Sequence, residues 1–104
     1  MLALMILTIT PAISGEPEFV IQIKNHQFIP AELRIPTGVK VQIILDNQDY
    51  TPEEFESYSV NREKNVPPKS RVTLFIGPLV AGRYAYQSED RADGSAAFGV
   101  IEAR

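Results

Sequence analysis

Residues 33–47 read LRIPTGVKVQIILDN, and this stretch decides the fold. Apolar residues recur at every second position on both sides of the segment PTG, in residues 33–35 and 39–45. A period of two gives a β-strand one face for the core. In the segment between the two runs, Pro36 fixes φ and Gly38 can adopt positive φ, as a tight reversal requires. The stretch therefore predicts two β-strands joined by a turn.

The same period of two continues along the rest of the chain after Glu18. No stretch offers an amphipathic helix longer than one or two turns, and eight prolines disfavour one. Short strands separated by Pro- and Gly-rich turns predict an all-β domain, either a sandwich or a small barrel. The further predicted strands are residues 19–23, 71–76, 84–86 and 98–100, with a shorter one around Phe55.

Composition limits the classes of function. The chain has 104 residues, a formal charge of −3 and no cysteine. This length allows one domain, and the mild acidity gives no electrostatic reason to bind nucleic acid or anionic lipid. Without cysteine, disulfides and thiolate metal ligands are excluded. No phosphate-binding loop, nucleophile elbow or catalytic triad occurs, so no catalytic residue is predicted.

The first fifteen residues, MLALMILTITPAISG, are apolar and uncharged. They are fewer than the roughly 20 residues that a membrane-spanning helix needs. They are typical of the apolar region of a signal peptide, with Ala12 and Ser14 as the small −3 and −1 residues of a cleavage site before Gly15. We therefore expect residues 1–15 to be a signal peptide and residues 16–104 to be a periplasmic or secreted domain that does not insert into the membrane. A buried first strand or a membrane anchor is the alternative interpretation.

An acidic stretch between residues 46 and 63 carries most of the candidate ligands. If residues around Phe55 form a strand, the ring is buried and Glu54 and Glu56 point to the opposite face. Carboxylates suit hard cations such as iron, and a cation would relieve their mutual repulsion. The alternative is a row of solvated charges on an exposed strand. The further carboxylates that could lie nearby are Glu53, Glu63 and Asp49.

His26 is the only histidine, and it lies at a predicted strand end before a corner made by Phe28 and Pro30. Neutral imidazole is the best remaining ligand type for copper or iron in this chain. The alternative is a packed, hydrogen-bonded ring at the rim of the domain. The sequence leaves open whether His26 lies near Glu54 or Glu56.

Residues 24–49, KNHQFIPAELRIPTGVKVQIILDNQD, resemble the first half of a cupredoxin. Residues 82–86, GRYAY, are similar to the lead into the copper loop of that family. The resemblance covers the chain from Phe19 to the C-terminus. It implies a Greek-key β-sandwich of about seven to eight strands, usually in the periplasm or outside the cell.

The resemblance also implies where a blue-copper site would lie. Family members with this site carry two His, one Cys and often one Met at the end of the sandwich. The matching positions here hold Glu53 or Glu54, Ser88, Arg91 and Ala96. A trigonal copper site cannot be built without a thiolate. We therefore expect no type 1 copper site and no electron transfer through blue copper.

Residues 47–64, NQDYTPEEFESYSVNREK, resemble a narrower, cysteine-poor group, the EfeO-type branch of cupredoxin-like domains. This branch includes the FtrB-like periplasmic partners of ferrous-iron permeases. Membership implies a role in iron uptake, through binding of iron or its oxidation with the help of copper, so an iron or copper ion is the implied cofactor. The loop that begins at Ser88, after residues 82–86, is called the closing loop here. It departs from the branch, because Asp90 and Arg91 stand where members often carry a histidine.

Two hypotheses of function follow. In the first, the chain is a metal-binding accessory of an iron importer. Its ligands, drawn from Glu54, Glu56, Glu53, Glu63 and His26, hold iron weakly and pass it to an inner-membrane iron permease or to another periplasmic uptake component. In the second, the chain is a metal-free interaction module that has kept the sandwich and lost its ligands.

Overall fold

The computed structural model describes residues 3–5, 15–89 and 93–104 of the chain. Most of the predicted signal peptide, and Arg91 of the closing loop, lie outside these ranges. No helix able to cross a membrane occurs among the described residues. The strands in this part of the chain are β1 (Glu18–Lys24), β2 (Gln27–Ile29), β3 (Glu32–Ile35), β4 (Val41–Asn47), β5 (Glu53–Ser57), β6 (Arg62–Val66), β7 (Arg71–Ile76), β8 (Gly82–Gln87) and β9 (Phe98–Ala103).

These strands form two sheets around one core. The first sheet has the order β2-β1-β4-β7, and the second has the order β3-β9-β8-β5-β6. Strand β1 pairs with β4 in parallel, as β3 does with β9, and all other pairs are antiparallel. The predicted all-β sandwich is confirmed, with nine strands in the described residues where about seven to eight were expected.

The opening stretch behaves as its alternation predicts. Strand β3 and residues 41–45 of β4 bury one side chain in two, and Gly38 in the turn between the strands has a φ of 74°. Strands β2 and β6 were not predicted from the sequence. Strand β2 has only three residues, and β6 buries only Val66 and exposes the four residues before it. Strand β2 is therefore too short, and β6 too exposed, for an alternating pattern to be detected.

Three aromatic rings fill the core beneath β5. The ring centroids of Phe28 and Phe55 lie 4.9 Å and 4.8 Å from that of Tyr86. Tyr86 pairs across the sheet with Gly99, and a Cβ atom at Gly99 would overlap the Tyr86 ring. The absence of a side chain at Gly99 therefore makes room for Tyr86. As predicted, Phe55 is fully buried while its neighbours Glu54 and Glu56 are only half-buried.

Candidate metal centre

His26 lies in the turn between β1 and β2, and this turn is held by a carboxylate from another loop. Asn25 and His26 adopt φ angles of 50° and 59°, the left-handed region that Asn and His tolerate better than most residues. Their backbone N–H groups donate to the two carboxylate oxygens of Asp49, at 2.8 Å and 2.9 Å. Asp49 thus fixes the turn that presents the imidazole.

Asp49 is in turn positioned by the buried side chain of Asn47, at the end of β4. The Asn47 amide donates to the carbonyl oxygens of Thr51, Val66 and Pro67, at 2.9, 3.2 and 3.1 Å. Its Oδ1 atom accepts a hydrogen bond from the backbone N–H of Asp49, at 2.9 Å. One asparagine therefore braces the loop between β4 and β5 against the loop that follows β6.

Glu53, the first residue of β5, completes the group. The Nδ1 atom of His26 lies 2.7 Å from Oε1 of Glu53 and 3.8 Å from Oδ2 of Asp49. The Thr51 hydroxyl donates to the same Oε1 atom, at 3.0 Å. One atom that could bind a metal ion, from each of His26, Asp49 and Glu53, lies within 4.8 Å of the other two such atoms. No other group of three or more His, Cys, Asp and Glu side chains is as close within residues 3–5, 15–89 and 93–104.

The imidazole of His26 is the part of this group that is most accessible to solvent. The side chains of Glu53 and Asp49 are 9% and 14% exposed, whereas that of His26 is 40% exposed. Burial raises the pKa of Glu53, and the nearby Asp49 raises it further, while the hydrogen bond from Thr51 opposes both effects. A cation at this position, either the imidazolium or a metal ion, would compensate the two carboxylates.

The predicted pair Glu54 and Glu56 lies outside this group. Glu56 lies opposite Glu63 on β6, so these two predicted ligands are neighbours on the sheet. Burial, a hydrogen bond with Glu56 and the charges of Glu63 and Glu89 raise the pKa of Glu54 to about 7. A cleft of about 270 Å³ runs between Glu54 and Glu89 and reaches Glu53. The sequence thus predicted one carboxylate cluster, whereas the described residues form two sets, and His26 groups with Glu53 and Asp49 rather than with Glu54 and Glu56.

The residue that the sequence analysis undervalued is Asp49, which it treated only as a neighbour of Glu54 and Glu56. Its signal was the segment Asn47-Gln48-Asp49 directly after a strand, which is typical of a turn closed by an asparagine side chain. No local pattern could show that the partners of Asp49 lie more than twenty residues earlier in the chain.

Ser88, at the position matching the copper-ligating cysteine, has a structural role. It is 4% exposed, and its Oγ atom accepts a hydrogen bond from the backbone N–H of Ala97, at 2.7 Å. The Ser88 N–H donates to the Ala97 carbonyl oxygen, at 2.9 Å. The hydroxyl thus joins the two ends of the closing loop.

Comparison with solved structures shows the same fold in copper proteins. Auracyanin A, a "blue" copper protein from Chloroflexus aurantiacus, superposes with a TM-score of 0.72 at 14% identity, covering 86% of this chain and all of that one. The metal binding domain of a Cu(I)-exporting P-type ATPase from Streptococcus pneumoniae gives 0.65 at 14% identity over 88% of each chain. Amicyanin from Paracoccus versutus gives 0.62 at 14% identity, over 90% of this chain and 86% of that one. At these identities the likeness establishes the fold alone.

Sequence comparison establishes the family. An uncharacterized protein from Rickettsia prowazekii (strain Madrid E) is 34% identical over 84 residues, which are 81% of this chain and 67% of that protein. The model of the family described as "Cupredoxin-like domain" matches residues 1–98. The chain therefore belongs to the cupredoxin-like domain family.

Proposed function

We propose that this protein binds one metal ion through His26, Asp49 and Glu53. The observation that carries the proposal is the convergence of one imidazole nitrogen and two carboxylates within 4.8 Å. Donor atoms bound about 2.0–2.2 Å from one metal ion lie roughly 3 Å apart. The distances from His26 Nδ1, 2.7 Å to Glu53 and 3.8 Å to Asp49, bracket this value. Small side-chain rotations would therefore suffice to admit an ion.

The ligand chemistry favours iron or Cu²⁺ over Cu⁺. Imidazole suits both iron and copper, and carboxylates suit harder ions, whereas Cu⁺ prefers thiolate and thioether sulfur. The chain has no cysteine, so a type 1 copper site cannot form. Copper binding by proteins of the same fold supports a metal role for this chain, although its ligands differ from the thiolate set. A site of oxygen and nitrogen ligands would bind such an ion without the blue-copper chemistry.

The three residues would contribute differently. Asp49 is held by backbone N–H groups, so it would act as a fixed ligand. Glu53 hydrogen bonds with His26 in the absence of metal, so the ion would replace the proton between them. Metal binding then competes with protonation of the imidazole, which makes the ion easier to release as pH falls.

The biological role we propose is that of an exported metal-binding accessory of a ferrous-iron uptake system. Its partner would be an inner-membrane iron permease or another periplasmic uptake component. The support for this role is the resemblance of residues 47–64 to the EfeO-type branch, together with the signal-like residues 1–15. A partly exposed imidazole beside two mostly buried carboxylates is suitable for a carrier, which must release its ion as well as bind it.

Calorimetric titration with Fe²⁺ under anaerobic conditions, and with Fe³⁺ and Cu²⁺, tests the proposal. We expect one ion per chain, bound tighter than millimolar, with binding lost in the Glu53→Gln and His26→Gln variants. Glu54→Gln/Glu56→Gln is the informative comparison, since it removes two carboxylates from β5 and leaves the proposed ligands intact. Loss of binding only in that double variant would move the site to the pair first predicted from the sequence. Absence of binding to the wild-type protein would favour the metal-free interaction module.

A further inference from the structure

The outer face of the five-stranded sheet carries exposed aromatic side chains. Phe98 on β9 is 68% exposed, and Tyr58, directly after β5, is 81% exposed. Together with Ala85 of β8 they line a groove of about 220 Å³, which Glu56 also lines. Exposed apolar side chains that cluster around a groove are typical of interaction sites, whereas isolated ones are common on any surface.

The strand register arranges this surface as a row. Phe98 lies opposite Gln87, Gln87 opposite Glu56, and Glu56 opposite Glu63. Directly opposed residues of antiparallel strands point to the same side of a sheet. The row therefore runs across four strands, from an aromatic ring at β9 to carboxylates at β5 and β6. We name Tyr58, Ala85, Phe98, Glu56 and Glu63 the Phe98 face.

The carboxylates of this surface lack basic partners within the sheet. None of the ion pairs in the described part of the chain includes Glu54, Glu56, Glu63 or Glu89. Arg62, next to Glu63 in the sequence, donates its Nε–H to the carbonyl oxygen of Phe75 on the other sheet. Glu56 and Glu63 both lie close enough to Glu54 to interact with it electrostatically. Arg62 thus lines the same small pocket as Glu56 and Glu63 but forms no ion pair with either carboxylate.

We propose that the Phe98 face is a docking surface for a basic protein segment, one that carries Lys or Arg side chains around an apolar residue. The apolar residue would enter the groove between Tyr58 and Phe98, where desolvated aromatic contacts supply most of the affinity of an interface. The basic side chains would face Glu56 and Glu63, where opposite charges accelerate association and select the partner. A second copy of this chain is a poorer occupant, because its charge of −3 opposes an acidic surface.

Fluorescence anisotropy tests the proposal with a labelled peptide in which lysines flank a single phenylalanine. The measurement uses the full chain with a chelator present, so its result is independent of the proposed metal site. Binding should be detectable at about 10 mM salt and at least about fivefold weaker at about 150 mM, where exposed charges are screened beyond about 8 Å. Replacing the phenylalanine of the peptide with glycine should weaken binding at both salt concentrations.

Two variants and one control assign the surface. Glu56→Gln/Glu63→Gln should weaken binding and reduce its salt dependence, and Phe98→Ser should weaken it without changing that dependence. Glu16→Gln/Glu18→Gln removes the same charge from a part of the chain outside this sheet and should leave binding unchanged. An equal loss in this control, or no binding at about 10 mM salt, would overturn the proposal. Self-association of the wild-type chain that Phe98→Ser abolishes would assign the face to a second copy instead.

Discussion

The Nδ1 atom of His26 lies 2.7 Å from Oε1 of Glu53, although the two residues are 27 positions apart in the chain. The contact joins the turn after β1 to the start of β5, and thus one sheet of the sandwich to the other. Asp49 lies between the two elements and accepts hydrogen bonds from the turn. The geometry of the proposed metal centre therefore depends on how the two sheets are held together.

Thr51 should influence metal affinity without binding the metal. Its hydroxyl donates to the Glu53 oxygen that contacts His26, so it orients that carboxylate. Thr51→Val keeps the shape and removes the donor, and we expect about tenfold weaker binding, as for other residues that orient metal ligands. Titration of the variant with Cu²⁺ measures the effect. Thr73→Val is the control, since Thr73 lies on the sheet opposite Glu53, and unchanged affinity in Thr51→Val would contradict this role.

Asp49 should stabilise the metal-free protein as well as the metal complex. Both of its carboxylate oxygens accept backbone N–H groups, and an amide at this position could accept only one. We expect Asp49→Asn to lower the free energy of unfolding by about 1.5–3 kcal/mol, the range for hydrogen bonds to charged groups. Urea denaturation in the presence of a chelator measures this value. Glu53→Gln should lower the free energy of unfolding by less, because Glu53 accepts no backbone N–H bond from the described residues. Equal losses for the two variants would contradict the assignment.

Glu54 should make the stability of the metal-free protein depend on pH. Its pKa in the folded protein is about 7, against an ordinary value of 4.5, because of burial and the neighbouring carboxylates of Glu56, Glu63 and Glu89. Between these two values the folded chain holds the proton and the unfolded chain does not, so this contribution to stability falls as pH rises. Glu54→Gln removes the titration. With a chelator present, the melting temperature of the variant relative to the wild type should therefore rise from pH 5 to pH 8; a constant difference would show that the pKa is not raised.

Gly99 should tolerate no side chain. A Cβ atom there would overlap the ring of Tyr86, which is buried between Phe28 and Phe55. We expect Gly99→Ala to lower the free energy of unfolding by about 1–3 kcal/mol, the usual cost of overpacking a core. Gly82→Ala is the matched control on the neighbouring strand, since its Cβ would meet only ordinary contacts with Tyr84 at 3.6 Å. Similar melting temperatures for the two variants would contradict this account of the core.

The strands were predictable wherever one face of the chain is buried. Buried Leu33 and Ile35 alternate with exposed Glu32 and Arg34, and hydrophobic burial acts on that pattern directly. Strand β6 was not predictable, because an edge strand with four exposed residues depends on hydrogen bonds to its neighbour rather than on burial. Strand β2 was interpreted only as a corner, because three residues are too few to show an alternating pattern.

The candidate site was predictable in its residue types but not in its grouping. The sequence identified His26 and Glu53, because imidazole and carboxylate are the best ligands that a chain without cysteine offers. It also centred the site on Glu54 and Glu56, which share a strand face but do not belong to the His26 group. The grouping depends on contacts between residues far apart in the chain, and strand alternation carries no information about these.

The single histidine allows the proposed metal centre to be tested at one residue. The ring of His26 gives the only imidazole signals in an NMR spectrum of this chain. Substoichiometric Cu²⁺, which is paramagnetic, should broaden these signals first, together with those of Asp49 and Glu53. Broadening that is strongest at these three residues, and that declines with distance from them, is the result predicted for the proposed centre. Broadening that begins at Glu54, Glu56 and Glu63 and leaves the His26 signals sharp would contradict it.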